Sequence, residues 1–542
     1  MKKKCLILII TSASFIIEAG AQNWIWSKQI GGSAGESADL VCIDANNNVY
    51  TTGVFGSNPC PFGATSVIPN GSGDIFITKH DASGNFIWAK TFGGNNTPMQ
   101  SERINSINYN TLTNTLFISG NIYGTAILGN DTIYGMPAGF LTELDLSGTF
   151  LWTKRYPPIG CCTIDNVGNI YVQHAFSNMS MIDTVVVVPG VYLTKYSQSG
   201  SLIWVKKITN YIGPSTGFEA FFAEIKVKND KIFGIGACSV SAFTIDAVSV
   251  TANFPNGQYI IGCLDTSGTA LWVKACSGPV SGGYAIAVDT HKNTYISGAF
   301  HNSAIFGNDT LYSTSIQDLF LAKYDSLGNY KWSGQTYTSN YSVGVDLAMD
   351  NDGNFYLTGV LRGNAAFGNF NITSTAAPYG DMFLARFDTS GNCVGIRHLG
   401  EANGTGVAVD GNNDIYITGY FFNSVNFDSN PTLTSAGAND VYIAKSSTIT
   451  GIGGREINPN NQLIIYANPT QGKCNITVPN DFVNEKNLTL SIYDNTGKLI
   501  QQKILEMNDG KIKVSLEEEA KGVYNVTLAN KKKSYSGKIV FE

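Results

Sequence analysis

Residues 22–445 contain only six glutamates, and Glu36, Glu102, Glu219 and Glu401 stand in or beside the segments that join one strand-rich repeat to the next. Carboxylates gathered from such connections could hold a cation, accept sugar hydroxyls, or act as an acid/base pair. The plain structural alternative is four solvated loop glutamates. The other reactive residues are less suggestive. His80, His174, His291, His301 and His398 have no paired metal-ligand spacing and no HExxH pattern, which gives no support to zinc hydrolysis or a His-centred triad. Asp350-Asn-Asp352-Gly353-Asn354 reads like the first half of a calcium loop, yet no acid closes it at the twelfth position. Asp44, Asp289 and Asp410 occupy the same turn position without calcium-like neighbours, so turn capping accounts for them. Nine cysteines follow Cys5, with no ladder of spacings, which favours buried free thiols over a disulfide framework. No metal or cofactor is implied.

The elements that must position these residues are hairpins. DLFLAKYDSLGNYKWSGQ (318–335) is an apolar run, an Asp-x-x-Gly-Asn turn, and a second run carrying Trp332. The glycine supplies the positive φ of a type I turn with a G1 bulge, and the aspartate bonds the backbone ahead of it. DIFITKHDASGNFIWAK (74–90) repeats it, looser copies end at Trp152, Trp204 and Trp272, and Asp381–Arg397 has Gly395 where Trp is expected. A second hairpin precedes each copy, as in YAIAVDTHKNTYISGAF, with counterparts at Val41–Val54, Leu347–Val360 and Ala408–Tyr420. The copies at 161–171 and Lys226–Gly236 are degenerate.

Each unit therefore has four strands, and aligned tryptophans from Trp26 to Trp332 lie 52 to 68 residues apart, too long a period for a short-repeat solenoid. Runs such as LFLA, AIAV and IFIT are apolar on both faces, so each sheet must be covered on both sides. Radial stacking of four-stranded blades does this, with the tryptophans packed between blades. Seven first, second and third strands can be counted. The last third strand, Asp440–Lys445, has no fourth strand after it, and the only spare one is Asn23–Ile30. The expectation is an all-β, seven-bladed β-propeller over 22–445, closed by its own N-terminal strand. Its short turns lie at one end of the blades, and its longer second-to-third-strand loops and crossovers share the other face.

These repeats resemble a bacterial β-propeller repeat family whose units carry D-x-F-x-x-K-x-D-x-x-G-N-x-x-W. That resemblance implies fold rather than activity. The turn is also similar in outline to the aspartate boxes of sialidase propellers, but six arginines in the whole chain, with only Arg103 near a first strand, argue against sialidase chemistry.

The two ends carry addresses. Lys2–Lys4, the apolar Cys5–Ile17 and Ala19-Gly-Ala21 read as a signal peptide (1–21), cleaved between Ala21 and Gln22. Residues 446–462 look like a linker, and 463–542 hold 11 of the 35 basic residues with short apolar runs between Gly- and Lys-rich turns. The latter pattern suggests a small Ig-like β-sandwich. Asn468-Pro469 with Gly472, Gly497-Lys498, Gly522-Val-Tyr524 and Lys538 resemble the type A C-terminal sorting domain of the type IX secretion system. The resemblance implies export through the periplasm with that machinery as partner, and a secreted or outer-surface destination.

A net charge of −6 without a basic tract argues against nucleic acid, and no later apolar run is long enough to span a bilayer. Two functions follow. The first is a non-catalytic exported protein binding a glycan or protein through its loop face. The second is an exported carbohydrate-active enzyme, hydrolase or lyase, with a carboxylate pair in the central pocket.

Overall fold

The computed structural model describes residues 24–449 and 463–542, apart from positions 72, 96–101, 215–216, 253–257, 277, 279–283, 314, 369, 375–377, 480–481, 483–487, 495–498, 506–509 and 531–533. The signal-peptide reading with Ala21 and Gln22, the Gly497-Lys498 turn, and most of the 446–462 linker lie outside the described residues. Two compact units form, one over Trp24–Glu456 and one containing Ile457–Glu542.

Among the described residues the larger unit is built on seven antiparallel sheets of the same four-strand order, one of them lengthened by a short fifth strand, with small two- and three-stranded sheets beside them. In blade 5 the strands are Ala285–Val288, Thr294–Phe300, Asp318–Tyr324 and Tyr330–Gln335. Its last turn forms as its chemistry dictates. Asp325 Oδ1 accepts the amide hydrogens of Leu327 and Asn329, both at 2.9 Å, while Gly328 adopts φ +77°. The register shifts by one residue after Lys323, the bulge the turn requires.

First strands of neighbouring blades pack side by side around the axis, and Ala402–Val409 of blade 7 meets Glu36–Ile43 of blade 1. Closure comes from Trp24–Ile30, which pairs antiparallel with Asp440–Ser446 as the fourth strand of blade 7. The chain then stays with this blade beyond Ser446, because Ile449 is buried in the blade 6–blade 7 core.

Turn glycine and tryptophan read each other across blades. A Cβ built on Gly84, Gly148, Gly200, Gly268, Gly328 or Gly391 would approach the preceding blade's Trp26, Trp88, Trp152, Trp204, Trp272 or Trp332 to between 2.5 and 3.1 Å. Four of these indoles, on Trp26, Trp88, Trp272 and Trp332, also donate Nε1–H to a carbonyl of the same turn, at 3.1–3.2 Å. This explains Gly395. The blade after it is blade 7, whose fourth strand comes from the N-terminus, so that blade has no turn for a tryptophan to cover. Its place is taken by the exit segment, where Ile449 O accepts from Arg386 at 3.2 Å.

The connections between second and third strands differ from the expectation of irregular loops. In blade 5, Ser303–Phe306 and Asp309–Tyr312 pair as a hairpin, and every other blade has an equivalent. Phe62, Leu128, Ile182, Ile245, Phe306, Phe367 and Phe427 are buried just before each tip, and the next residue (Gly63, Gly129, Asp183, Asp246, Gly307, Gly368, Asp428) has φ between 50° and 64°. These hairpins lie beside the fourth strand of their own blade and reach that of the preceding one. Blades diverge away from the axis, and the hairpins fill the widening gap with apolar side chains instead of leaving voids.

The smaller unit has a three-stranded sheet (Ile464–Tyr466, Lys473–Thr477, Lys511–Ser515) and a four-stranded sheet (Leu488–Tyr493, Leu499–Leu505, Gly522–Ala529, Ser534–Phe541). Both contribute to one core that includes Ile476, Ile492, Val514, Val526 and Ile539.

Candidate functional site

The four glutamates fall at the crossover end of blades 1, 2, 4 and 7, each beside the first strand of its own blade, and the structure does not gather them into one cluster. Glu36 is fully buried and accepts from Gly32 N at 2.9 Å and Ser57 N at 3.0 Å. Glu102 repeats the device with Gly94 N at 2.6 Å and Tyr123 N at 3.2 Å. Each ties its own crossover to the start of the connecting hairpin. Glu219 and Glu401 lie shallower and pair with amides, Asn210 Nδ2 and Asn423 Nδ2, both at 3.0 Å. The calcium-like Asp350 caps its turn and accepts Arg386 Nη2 at 2.9 Å, so an arginine occupies the position a cation would take. Among the described residues no group of three or more His, Cys, Asp or Glu is placed to hold a metal. The nine cysteines from Cys42 to Cys474 are all unpaired.

Burial pushes the Glu102 carboxyl up to about 7, and neighbouring Asp74 adds to this against the two amides. A folded-state pKa above the unfolded one means that the folded protein holds the proton more tightly. The stabilisation is therefore complete below about 4.5 and is lost as pH rises towards 7. Glu102→Gln keeps the amide acceptor but not the titration. It is expected to raise stability at pH 8 by roughly 1–3 kcal/mol and to change it little at pH 4. Urea midpoints at the two pH values check this, and an identical pH dependence in both proteins would refute it.

The axis holds a cluster that the sequence did not reveal. Lys226 Nζ lies 2.7 Å from Glu224 Oε1 of the same strand. The side chain keeps 44% of its accessible surface, facing the central channel around which the first strands stand. Burial opposes its charge, and Glu224 with Asp346 of blade 6 more than offsets this, holding the ammonium above its usual range. Asp346 itself is raised by burial, while its Oδ2 accepts Val407 N at 2.8 Å. Nearer the axis entrance, Asp39 is pushed up to about 6 by burial, against the opposing charge of Arg103. Beyond Lys226, towards the turn end, Val227, Ile286, Ala287, Val288, Leu347 and Met349 help to line a cavity of about 210 Å³. A retrospective signal exists. The positions equivalent to Lys226 in the other first strands are Cys42, Asn108, Thr163, Ala287, Ala348 and Ala408. A lysine in a column of shorter side chains is conspicuous once the degenerate fourth repeat is aligned.

In the smaller unit the described motif residues join its two ends. Asn468 Nδ2 donates to Lys538 O at 2.6 Å, and Val540 N donates to Asn468 Oδ1 at 2.8 Å. Gly472, at φ +107°, lies where a Cβ would come within 2.9 Å of Glu517. Gly522 opens the strand that buries Tyr524, and Lys538 is exposed on the last strand. Residues 464–542 match the family described as the secretion system C-terminal sorting domain. The C-terminal unit is a secretion-system sorting domain. A chain carrying this sorting domain is an exported one, destined for the cell surface or the surroundings.

An uncharacterized WD repeat-containing protein of Acanthamoeba polyphaga mimivirus is 22% identical over 78% of this chain, which spans 38% of that relative's length. Among solved structures, the Dos1 propeller is similar at 8% identity and TM-score 0.38, over 78% of this chain and 95% of that one. A prolyl endopeptidase is similar at 8% identity and TM-score 0.40, over 86% and 56%.

Proposed function

We propose that the protein is a non-catalytic binding protein, delivered through the periplasm by the type IX secretion machinery, that engages an extracellular glycan through the crossover face of its propeller. The observation that carries this reading is the pairing of the sorting domain with a rigid ring whose buried acids already serve the fold. Glu36 and Glu102 hold backbone amides, and Glu224 holds both Lys226 and the Ile286 amide. Rigid scaffolds that present connecting segments at one end suit recognition.

A second reading, an exported carbohydrate-active enzyme, draws on the channel. There Asp346, with its raised pKa, lies close enough to Lys226 and Glu224 to share their field, and a protonated acid beside a carboxylate suits acid/base chemistry. A glycan array combined with a polysaccharide-turnover assay on the full-length exported protein separates the two. Glycan binding without new reducing ends is the expected result. New reducing ends that disappear in Asp346→Asn would overturn it in favour of the enzyme, and capture of a protein ligand with no glycan bound would replace the glycan.

A further inference from the structure

We infer that the crossover end of blades 6 and 7 carries a pyranose-binding platform built on Tyr379 and Phe422. The inference rests on the glycan reading above and names the place on the face where the sugar would sit. Phe422 follows the second strand of blade 7, and Tyr379 precedes the third strand of blade 6. The chain separates them by 43 positions, and the fold stacks them with ring centroids 3.9 Å apart and planes 16° from parallel. Tyr420 closes the third side edge-on to Phe422, at 5.8 Å and 78°. Elsewhere in the propeller most large aromatic rings are buried between blades, but Tyr379 keeps 37% of its surface while stacked. The stack is thus a flat, half-open aromatic surface rather than part of a core.

Polar groups ring this surface. Glu401, from the crossover into blade 7, accepts from Asn423 Nδ2 at 3.0 Å, and its carbonyl accepts the Phe422 amide at 2.8 Å. The carboxylate, the amide and the ring are therefore held in one fixed relation. On the blade 6 side Arg362 is exposed, its side chain packs where Gly380 leaves room beside Tyr379, and its guanidinium lies 5.9 Å from the Tyr341 ring. A pyranose presents a face of C–H bonds and an edge of hydroxyls. An aromatic plane with the Glu401 carboxylate and the Asn423 amide held near it matches both. A strongly anionic ligand would be repelled by Glu401. Glu219 also adjoins an aromatic pair, Tyr211 and Phe218, but those rings lie 5.3 Å apart and 59° from parallel, so they form no flat face.

The test titrates the full-length protein with cellohexaose, xylohexaose, mannohexaose and chitohexaose by calorimetry, in the wild type, Tyr379→Ala, Tyr379→Phe and Glu401→Gln. Tyr379 keeps only 37% of its surface and stacks on Phe422, so Tyr379→Ala is expected to lower the melting temperature modestly, and a cooperative transition well above the assay temperature excludes misfolding as a cause. For whichever hexaose binds, Tyr379→Ala is expected to weaken affinity at least about tenfold, Glu401→Gln by about three- to tenfold, and Tyr379→Phe by less than about threefold. A hexaose that binds Tyr379→Ala with unchanged affinity sits elsewhere, which overturns this platform and leaves the glycan reading standing. Failure of all four hexaoses together with a blank glycan array overturns both.

Discussion

A chain lacking Trp24–Ile30 will not melt as a cooperative propeller. The segment contributes the whole fourth strand of blade 7, paired with Asp440–Ser446 from Trp24 to Ile30. It also buries Trp24, Trp26 and Ile30, each no more than 7% exposed. At about 2–3 kcal/mol for each large apolar side chain, burial alone amounts to roughly 6–9 kcal/mol, comparable with the total stability of an ordinary domain. The loss is not confined to one blade. Trp24 packs edge-on to Phe427 at 5.1 Å within blade 7, and Trp26 Nε1 donates to Ala82 O of blade 1 at 3.1 Å. Without the strand, Asp440–Ser446 becomes a bare edge, and the ring is open between its last and first blades. Circular dichroism of the truncated chain should show a broad, low-temperature transition, and a synthetic peptide spanning residues 22–31 should restore part of the cooperativity. A truncated protein with the wild-type melting curve would mean that the ring closes some other way.

Gly328→Ala is expected to cost about 2–4 kcal/mol, of which roughly 1 arises from forcing an L-residue to a left-handed φ and the remainder from overpacking. The added methyl would stand 2.5 Å from Trp272 Cδ2 of the preceding blade, at a backbone φ of +77°. Gly411→Ala, in the first turn of blade 7, is the matched control. No atom lies within 4 Å of a Cβ there, so its cost should stay within about 0.5 kcal/mol. A double-mutant cycle separates the two contributions. In a Trp272→Ala background the clash is gone, and the cost of Gly328→Ala should fall to about 1 kcal/mol, the conformational part alone. Urea midpoints of the four proteins measure it. An equal cost in both backgrounds would show that the motif's glycine serves its own turn and not the neighbouring indole.

That coupling explains why so much of the fold was legible beforehand. An Asp-x-x-Gly-Asn turn encodes its hairpin through bonds between residues at most four apart, so every copy announces itself locally. The tryptophan three residues after the turn's last position announces that a neighbouring turn will cover it. Gly395 looked like a lapse in the repeat. It marks the one junction where the next blade's turn is missing, and so reports the point of closure that the spare strand at residues 23–30 also reports. The sorting domain was legible by its motif, although the bonds of Asn468 with Lys538 and Val540, near the other end of the unit, were not.

The outer hairpins were missed although Phe306-Gly307-Asn308 and its relatives carry turn chemistry, because their strands are only two to four residues long in most blades and show no periodicity to count. The crossover glutamates were located correctly by position, but position says nothing of depth. Glu36 and Glu102 are consumed by backbone amides, whereas Glu219 and Glu401 lie shallow. The amino-acid order by itself determined the strands, their turns and the number of repeats, all of which depend on contacts between near neighbours, and the motif of the sorting domain. Only the tertiary structure decided that Asp346 of blade 6 would act on the Glu224–Lys226 pair of blade 4, or that Tyr379 would stack on Phe422. Such groups meet only when the closed ring brings separate blades to one axis and one face, and nothing in their local sequence registers that meeting.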